Sequence, residues 1–253
     1  MKAVILAAGR GSRMGSDTEG RPKCCTMLAG KNLLQWQLAS LRAAGVTEIL
    51  VVRGYRGELL YGDFSTVDNT RWAETNMASS LVCATDWLAS GPTIISYSDI
   101  VYHPDHVRAL IACDGSIAIT ADRLWLELWR LRGEDPIADA ETFQEECGIL
   151  KEIGGKPKTL EEVEAQYMGL LLFKPQGWKQ FFDIYLKLSA KEQACLDMTS
   201  WIRHALQQDV TVQVCSVNGR WCEVDVQTDR EIYEEMVCSV DSCKTVWHHD
   251  WRW

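Results

Sequence analysis

Positive charge is scarce in this sequence: 26 Lys and Arg stand against 35 Asp and Glu, a formal net charge of −9. Such a chain lacks the basic footprint that a phosphate backbone requires, which excludes a general binder of DNA or RNA. Long apolar runs are missing too. None approaches the ~20 residues of a membrane-spanning helix, and the apolar stretch ahead of Gly9 is too short for a secretory leader. The expectation is a cytoplasmic protein with no membrane association. No two of the ten cysteines stand in CxxC spacing, so no zinc site is indicated, and under reducing conditions they read as small buried hydrophobes and incidental thiols. Two phosphate-binding signatures are absent as well. There is no GxxxxGK[ST], and Gly9 and Gly11 are followed by Met14 where GxGxxG needs glycine.

What is present is an alternation of strand and helix over 253 residues, enough for one large domain or two small ones. Lys2 to Ala7 (KAVILA) is a short apolar run suited to a strand buried on both faces. A polar loop from Gly9 to Lys23 follows, then Leu33, Leu34, Leu38 and Leu41 at helical spacing up to Gly45, then the strand EILVV. Helices are expected over 78–88, 105–112, 178–188 and 199–207 and from Thr228. Strands are expected in PTIISYSD, SIAITA, QYMGLLLF, VTVQVC and RWCEVDV. This is an α/β, Rossmann-like pattern: a mostly parallel sheet with helices on both faces. With no linker or repeat, a single domain over residues 1–253 is expected. Its charged and aromatic insertion, about 121–165, is expected over the active-site face and to include two short strands about Gly154 and Gly155. The ending WHHDWRW fits no pattern.

Ligands of open α/β sheets bind beyond the carboxyl ends of the strands, where the Gly9 loop lies. It carries Arg10, Arg13, Arg21 and Lys23. Glycines let main-chain N–H groups approach an anion, and guanidinium forks match phosphate oxygens. A basic loop in an acidic chain points to a small polyanion, although a solvated charged turn has the same composition.

The string LAAGRGSRM…RPK resembles the LAAGxGxRM…PK signature of the nucleoside-triphosphate transferases. ETNMASSLVCA, YSDIVY, QYMGLLLF, LDMTSWI and RWCEVDVQTD, in that order along the chain, resemble the bacterial phosphocholine cytidylyltransferase group, which has relatives acting on aminoalkyl phosphonates and phosphoramidates. The resemblance implies a Rossmann-like nucleotidyltransferase fold and a CTP-dependent, Mg²⁺-assisted transfer to a small phosphorylated or phosphonate acceptor, releasing pyrophosphate.

Residue by residue, it implies Asp99 and Asp225 as the Mg²⁺ ligands. Two carboxylates plus phosphate oxygens and water suit that ion. Asp99 alone also suits a helix cap before His103 and Pro104, and Glu223 shares a strand face with Asp225 and rivals it as ligand. Arg13 matches the arginine that grips the triphosphate and Lys23 the lysine that contacts the phosphates between acceptor and CTP, which makes these two the candidates for the catalytic electrostatics. Leu6, Ala8, Gly9, Gly11 and Ser12 match the nucleotide-binding loop. Asn76 and Ser80 are candidates for reading cytosine, or simply the first turn of a helix, and Tyr55 is a candidate for lining the same pocket. The attacking oxygen is already anionic near neutral pH, its second pKa being ~6, so no general base is required. The five histidines, 103, 106, 204, 248 and 249, then read as structural or surface residues.

For the acceptor, Trp125 and Trp129 at i,i+4, with Trp72 and Tyr167, suit a cage for a quaternary ammonium, or else pack the insertion onto the sheet. A primary amine calls instead for Glu74, Asp122 or Glu127. The departure DPIADAETF favours a phosphonate or an unusual phosphorylated amine over phosphocholine. Two other readings stay open: a hexose-1-phosphate nucleotidyltransferase using UTP or dTTP, and a catalytically silent nucleotide-binding regulator. Homo-oligomerisation through the aromatic insertion is a further possibility.

Overall fold

The computed structural model describes residues 1–18, 20–133 and 135–253. The strands are β1 (Lys2–Ala7), β2 (Met27–Leu28), β3 (Lys31–Asn32), β4 (Glu48–Arg53), β5 (Ser65–Asp68), β6 (Thr93–Tyr97), β7 (Ile100–Tyr102), β8 (Ile117–Asp122), β9 (Phe143–Glu146), β10 (Ile149–Ile153), β11 (Gln166–Phe173), β12 (Gln213–Val217) and β13 (Trp221–Glu223). The α-helices are α1 (Leu33–Ala43), α2 (Met77–Val82), α3 (Thr85–Ala89), α4 (Pro104–Ile111), α5 (Trp125–Arg132), α6 (Pro136–Asp139), α7 (Pro175–Lys187), α8 (Ala190–Cys195), α9 (Met198–Leu206) and α10 (Gln227–Asp241). Among the described residues no helix is long and apolar enough to cross a membrane.

The main sheet has nine strands in the order β5-β4-β1-β6-β11-β8-β12-β10-β9. Only β11 and β10 run against the rest, so the expected mostly parallel α/β architecture is present. The first strand shows how pattern becomes architecture. Its side chains alternate between faces: Ala3, Ile5 and Ala7 enter the apolar core under α1, α4, α5 and α10, whereas Val4 and Leu6 enter the core under α2, α3, α7 and α9. With both faces covered, a wholly apolar run is what the strand needs. The helix after it starts at a capping box between Asn32 and Gln35 and gives way at Gly45, whose φ of +87° only glycine adopts readily.

Three details depart from the sequence expectations. The helix expected over 78–88 is broken into α2 and α3 by Cys83 and Ala84. The hairpin turns at Cys147 and Gly148, both with positive φ (52° and 76°), rather than at the Gly154–Gly155 pair, and its strands extend the main sheet at its edge instead of lying over it. Positive φ at two successive positions matches the right-handed twist of the strands, and cysteine gave no hint of it. Finally, the WHHDWRW segment is anchored by two of its residues: His249 is 0% exposed and meets the equally buried Asp122 at 2.9 Å, and the buried Trp251 packs edge-on against Trp36.

Candidate functional site

A two-stranded ribbon builds the centre of the site. Asp99 lies directly before β7, and β13 pairs antiparallel with β7, Glu223 opposite Ile100. The Val224 N–H donates to the Asp99 carbonyl at 2.8 Å. Antiparallel pairing of a strand that begins after one carboxylate with a strand that ends before another delivers Asp99 and Asp225 to the same end. Asp225 itself sits in the corner between β13 and α10 rather than on a strand.

Into this pair the Gly9 loop returns Lys23. Pro22 is extended and starts a single tight turn, Lys23–Cys25, that buries the lysine. Its Nζ donates to Asp99 Oδ2 at 2.8 Å and to Asp225 Oδ1 at 2.7 Å. Arg13 Nη1 stands 2.5 Å from the other oxygen of Asp225. Burial alone would depress the Lys23 pKa, but Asp99 and Asp225 outweigh it and hold the ammonium above the ordinary lysine range. A unit charge pair at such distances is worth about 6 kcal/mol at an effective dielectric of ~20, which is why the carboxylates win. Burial likewise pushes Asp225 upward, and Lys23, Arg13 and Arg132 more than reverse it, so its carboxyl lies below the usual range. The half-buried Glu223 is pushed up to about 7, first by loss of water around it and then by the neighbouring Asp99.

Oxygens of Asp99, Glu223 and Asp225 lie within 4.8 Å of one another. Asp99 Oδ1 is buried and, among the described residues, has no hydrogen-bond partner. An orphaned carboxylate oxygen beside two further carboxylates fits a hard divalent cation such as Mg²⁺, which takes oxygen donors and few of them from protein.

Two clefts flank the cluster. The first, an open space of about 580 Å³, is lined by Leu6, Ala8, Gly9, Lys23, Trp72, Thr75, Asn76, Met77, Ser80, Ser98 and Asp99. The second, about 600 Å³, is lined by Arg13, Trp129, Arg132, Gly133, Asp135, Asp139, Asp225, Val226 and Asp229. Lys23 and Asp99 thus face one cleft, Arg13 and Asp225 the other. Gly54 shapes the first wall: a Cβ there would lie 2.6 Å from the Ala8 carbonyl and 2.7 Å from Trp72 Cβ.

The structure gathers Leu6, Ala8, Gly9, Asn76, Ser80, Lys23 and Asp99 in the first cleft. Gly11, Ser12 and Tyr55 do not line it. Tyr55 instead packs on Trp72 at 5.2 Å, with the Arg10 guanidinium over its ring. Asn76 is largely committed to structure: it caps α2 through the Met77 N–H and donates to the Cys195 carbonyl. Ser80 is more available. Its Oγ accepts from Asn69 Nδ2 at 3.0 Å, leaving the hydroxyl hydrogen free to point elsewhere.

On the acceptor side the expectations change. Trp125 and Trp129 are buried against each other and, through Trp129, against Trp221, so they largely pack the chain's own core, and of the two only Trp129 reaches the wall of the second cleft. Tyr167 packs on Tyr97, and Trp72 belongs to the first cleft. Asp122 is spent on His249, Trp221 and the Gly219 N–H. Glu74 and Glu127 pair with Arg71 and His248 at the surface. Sequence reasoning passed over Asn69, Thr75, Arg132 and Asp229. For Asp229 a signal existed, since an acidic residue three places into a helix suits its first turn; Arg132 looked like one more solvated charge.

A family model described as the MobA-like NTP transferase domain matches residues 3–143. Over 252 aligned residues the chain is 33% identical to a CTP:phosphoglutamine cytidylyltransferase of Campylobacter jejuni, covering 93% of this chain and 100% of that protein. Among solved structures it is similar to the inositol-1-phosphate CTP transferase of T. maritima (TM-score 0.74, 21% identity, 93% of this chain and 94% of that one). It is also similar to the CTP:phosphocholine cytidylyltransferase of Streptococcus pneumoniae (TM-score 0.68, 18% identity, 93% and 98%). At those identities the two structures speak for the fold.

Proposed function

Because the chain belongs to the MobA-like NTP transferase family and is a nucleotidyltransferase, we propose that it transfers CMP from CTP to a small phosphorylated acceptor, releasing pyrophosphate. The observation that carries this reading is the Lys23 ammonium bridging Asp99 and Asp225 between two clefts. A transfer with in-line geometry needs such a partition, with nucleoside on one side and acceptor on the other. The full-length likeness to a phosphoglutamine enzyme supports a phosphorylated amide as acceptor ahead of a phosphonate or phosphocholine.

In this reading the cytidine occupies the first cleft. The free hydroxyl hydrogen of Ser80 donates to cytosine N3 or O2, with Asn69 fixing the oxygen. Leu6, Ala8 and Gly9 supply main chain along the nucleoside, with Gly11 and Ser12 further along the same loop toward the triphosphate. The acceptor lies in the second cleft. Its phosphoryl oxygen, anionic near pH 7, forms the new bond to the CTP α-phosphorus. The bond to the bridging oxygen breaks, and pyrophosphate leaves with that electron pair. Lys23 and Arg13 neutralise the charge that builds on the phosphoryl oxygens, the dominant demand of such transfers. Asp99 and Asp225, with Glu223 beside them, would hold Mg²⁺; when bound, it polarises a phosphoryl oxygen as a Lewis acid.

The test is pyrophosphate release with CTP, UTP, dTTP, ATP and GTP crossed with the phosphorylated amide of L-glutamine, 2-aminoethylphosphonate, phosphocholine and hexose 1-phosphates. CTP with the phosphoamide is expected to give the highest kcat/KM. Turnover with UTP or dTTP and a hexose 1-phosphate alone would replace this reading, and tight CTP binding without turnover on any acceptor would make the chain a regulator.

A further inference from the structure

Asp225 is a corner residue, and what holds that corner reaches it from outside the β7–β13 ribbon. Arg132, the last residue of α5, has a side chain only 9% exposed. Its Nε donates to Asp229 Oδ1 at 3.1 Å and its Nη2 to Asp229 Oδ2 at 3.3 Å, a two-point fork, while Nη1 stands 3.5 Å from Glu223 Oε2. The guanidinium also lies over the Trp129 ring, 5.2 Å from its centroid. Asp229 is 2% exposed, and its Oδ2 accepts the main-chain N–H groups of Asp225 (2.8 Å) and Val226 (3.0 Å). One carboxylate therefore grips the backbone of Asp225 with one oxygen and Arg132 with both.

We infer that Arg132 is a positioning residue for the reaction: acting through Asp229 and Glu223, it sets where the Asp225 carboxylate stands. The charges show why a cation is needed. Asp99, Glu223, Asp225 and Asp229 crowd one corner, and the cations that pair with them among the described residues are Lys23, Arg13 and Arg132. Remove Arg132 and a buried carboxylate, Asp229, is left uncompensated among its own kind. The corner then relaxes by turning Asp229 away, and the main-chain N–H of Asp225 loses the carboxylate oxygen that accepts from it. A planar fork does what a lysine cannot, since it fixes both oxygens of Asp229 at once. The inference rests on the reading above that Asp225 belongs to the reacting centre.

The experiment compares R132K, R132M, the double variant R132M/D229N and D225N. The double variant removes the guanidinium together with the buried charge it compensates, so its melting temperature is expected near that of the parent, while the Asn oxygen, no longer locked by the fork, ceases to hold the Asp225 main chain in place. In R132M and the double variant, kcat at saturating CTP and phosphoamide of L-glutamine is expected to fall about 10- to 100-fold. Mn²⁺ binding to the nucleotide-free protein, read by the paramagnetic resonance of free Mn²⁺, weakens on the same scale, while CTP binding without metal changes less than about twofold. R132K lies between. The inference is overturned if R132K and the double variant keep kcat and Mn²⁺ binding at parental values, or if the loss appears only in the acceptor KM, which makes Arg132 a binding residue. An active D225N removes the reading underneath; an inactive D225N beside normal Arg132 variants removes only the inference.

Discussion

The two clefts that meet at the Lys23 bridge differ in construction. The first has one wall built where regular strands end, Leu6 to Gly9 at the end of β1 and Ser98 and Asp99 after β6, with Trp72 and the start of α2 opposite, and its shape depends on backbone fitting closely, as at Gly54. The second is walled by charged side chains, Asp135, Asp139, Arg132 and Asp229, from the segment after α5 and the start of α10. A wall of strand ends suits a ligand that never changes. A wall of side chains on short helices can be rewritten without disturbing the sheet, so in the proposed reading acceptor preference is the easier of the two to change.

Substitutions should therefore sort by cleft, and the residue that ties the first cleft's Asp99 to the second cleft's Asp225, Lys23, should do the most damage. In K23M the cluster loses the ammonium between Asp99 and Asp225, and kcat is expected to drop about 10³-fold, close to 4 kcal/mol, at saturating CTP and acceptor. A loss confined to the KM for CTP would make Lys23 a first-cleft residue only. G54V comes next. The added carbons must displace the Ala8 carbonyl, an overpacking of about 1–3 kcal/mol, so CTP binding by calorimetry should weaken about tenfold or more and the melting temperature should fall, with acceptor KM unaltered. D135N/D139N is the mirror experiment: for an amine-bearing acceptor, KM is expected to rise about tenfold, the scale of a charge-assisted hydrogen bond, with CTP affinity unchanged. The same rise with a des-amino analogue would show that these carboxylates do not read the amine. S80A is the mildest. Asn69 Nδ2 keeps Thr75 as a partner, and one neutral hydrogen bond to the base, about 1 kcal/mol, corresponds to roughly fivefold in the KM for CTP.

The same division governs what could be read in advance. KAVILA, EILVV and the leucines ending at Gly45 obey simple periodicities because each element satisfies its own burial, and so the first βαβ unit was legible. Lys23, Asp99, Ser80 and Gly9 were legible because a chemical motif coincides with the ends of those elements. Gly11 and Ser12 lie off the cleft because the loop turns away after Gly9, with Gly11 at φ 69° and a tight turn from Ser12, and Tyr55, which follows β4, is taken up by Trp72 and Arg10. The second cleft was opaque for a different reason. Arg132 and Asp229 are 97 residues apart, and each looks like surface charge until the other is placed beside it. The hairpin at Cys147–Gly148 and the burial of His249 on Asp122 are likewise tertiary decisions: a left-handed cysteine and an acid–imidazole pair 127 residues apart leave no periodic trace.

The Lys23 bridge also has a meaning in time. Its two contacts span 76 and 202 residues of chain, so neither forms by local collapse, and both wait on closure of loops whose entropy is lost before the pairing is gained. Catalytic competence is then a late milestone on the folding route. During refolding from denaturant, helical signal should return well before turnover, and recovery of activity serves as a clock for the arrival of β13 beside β7.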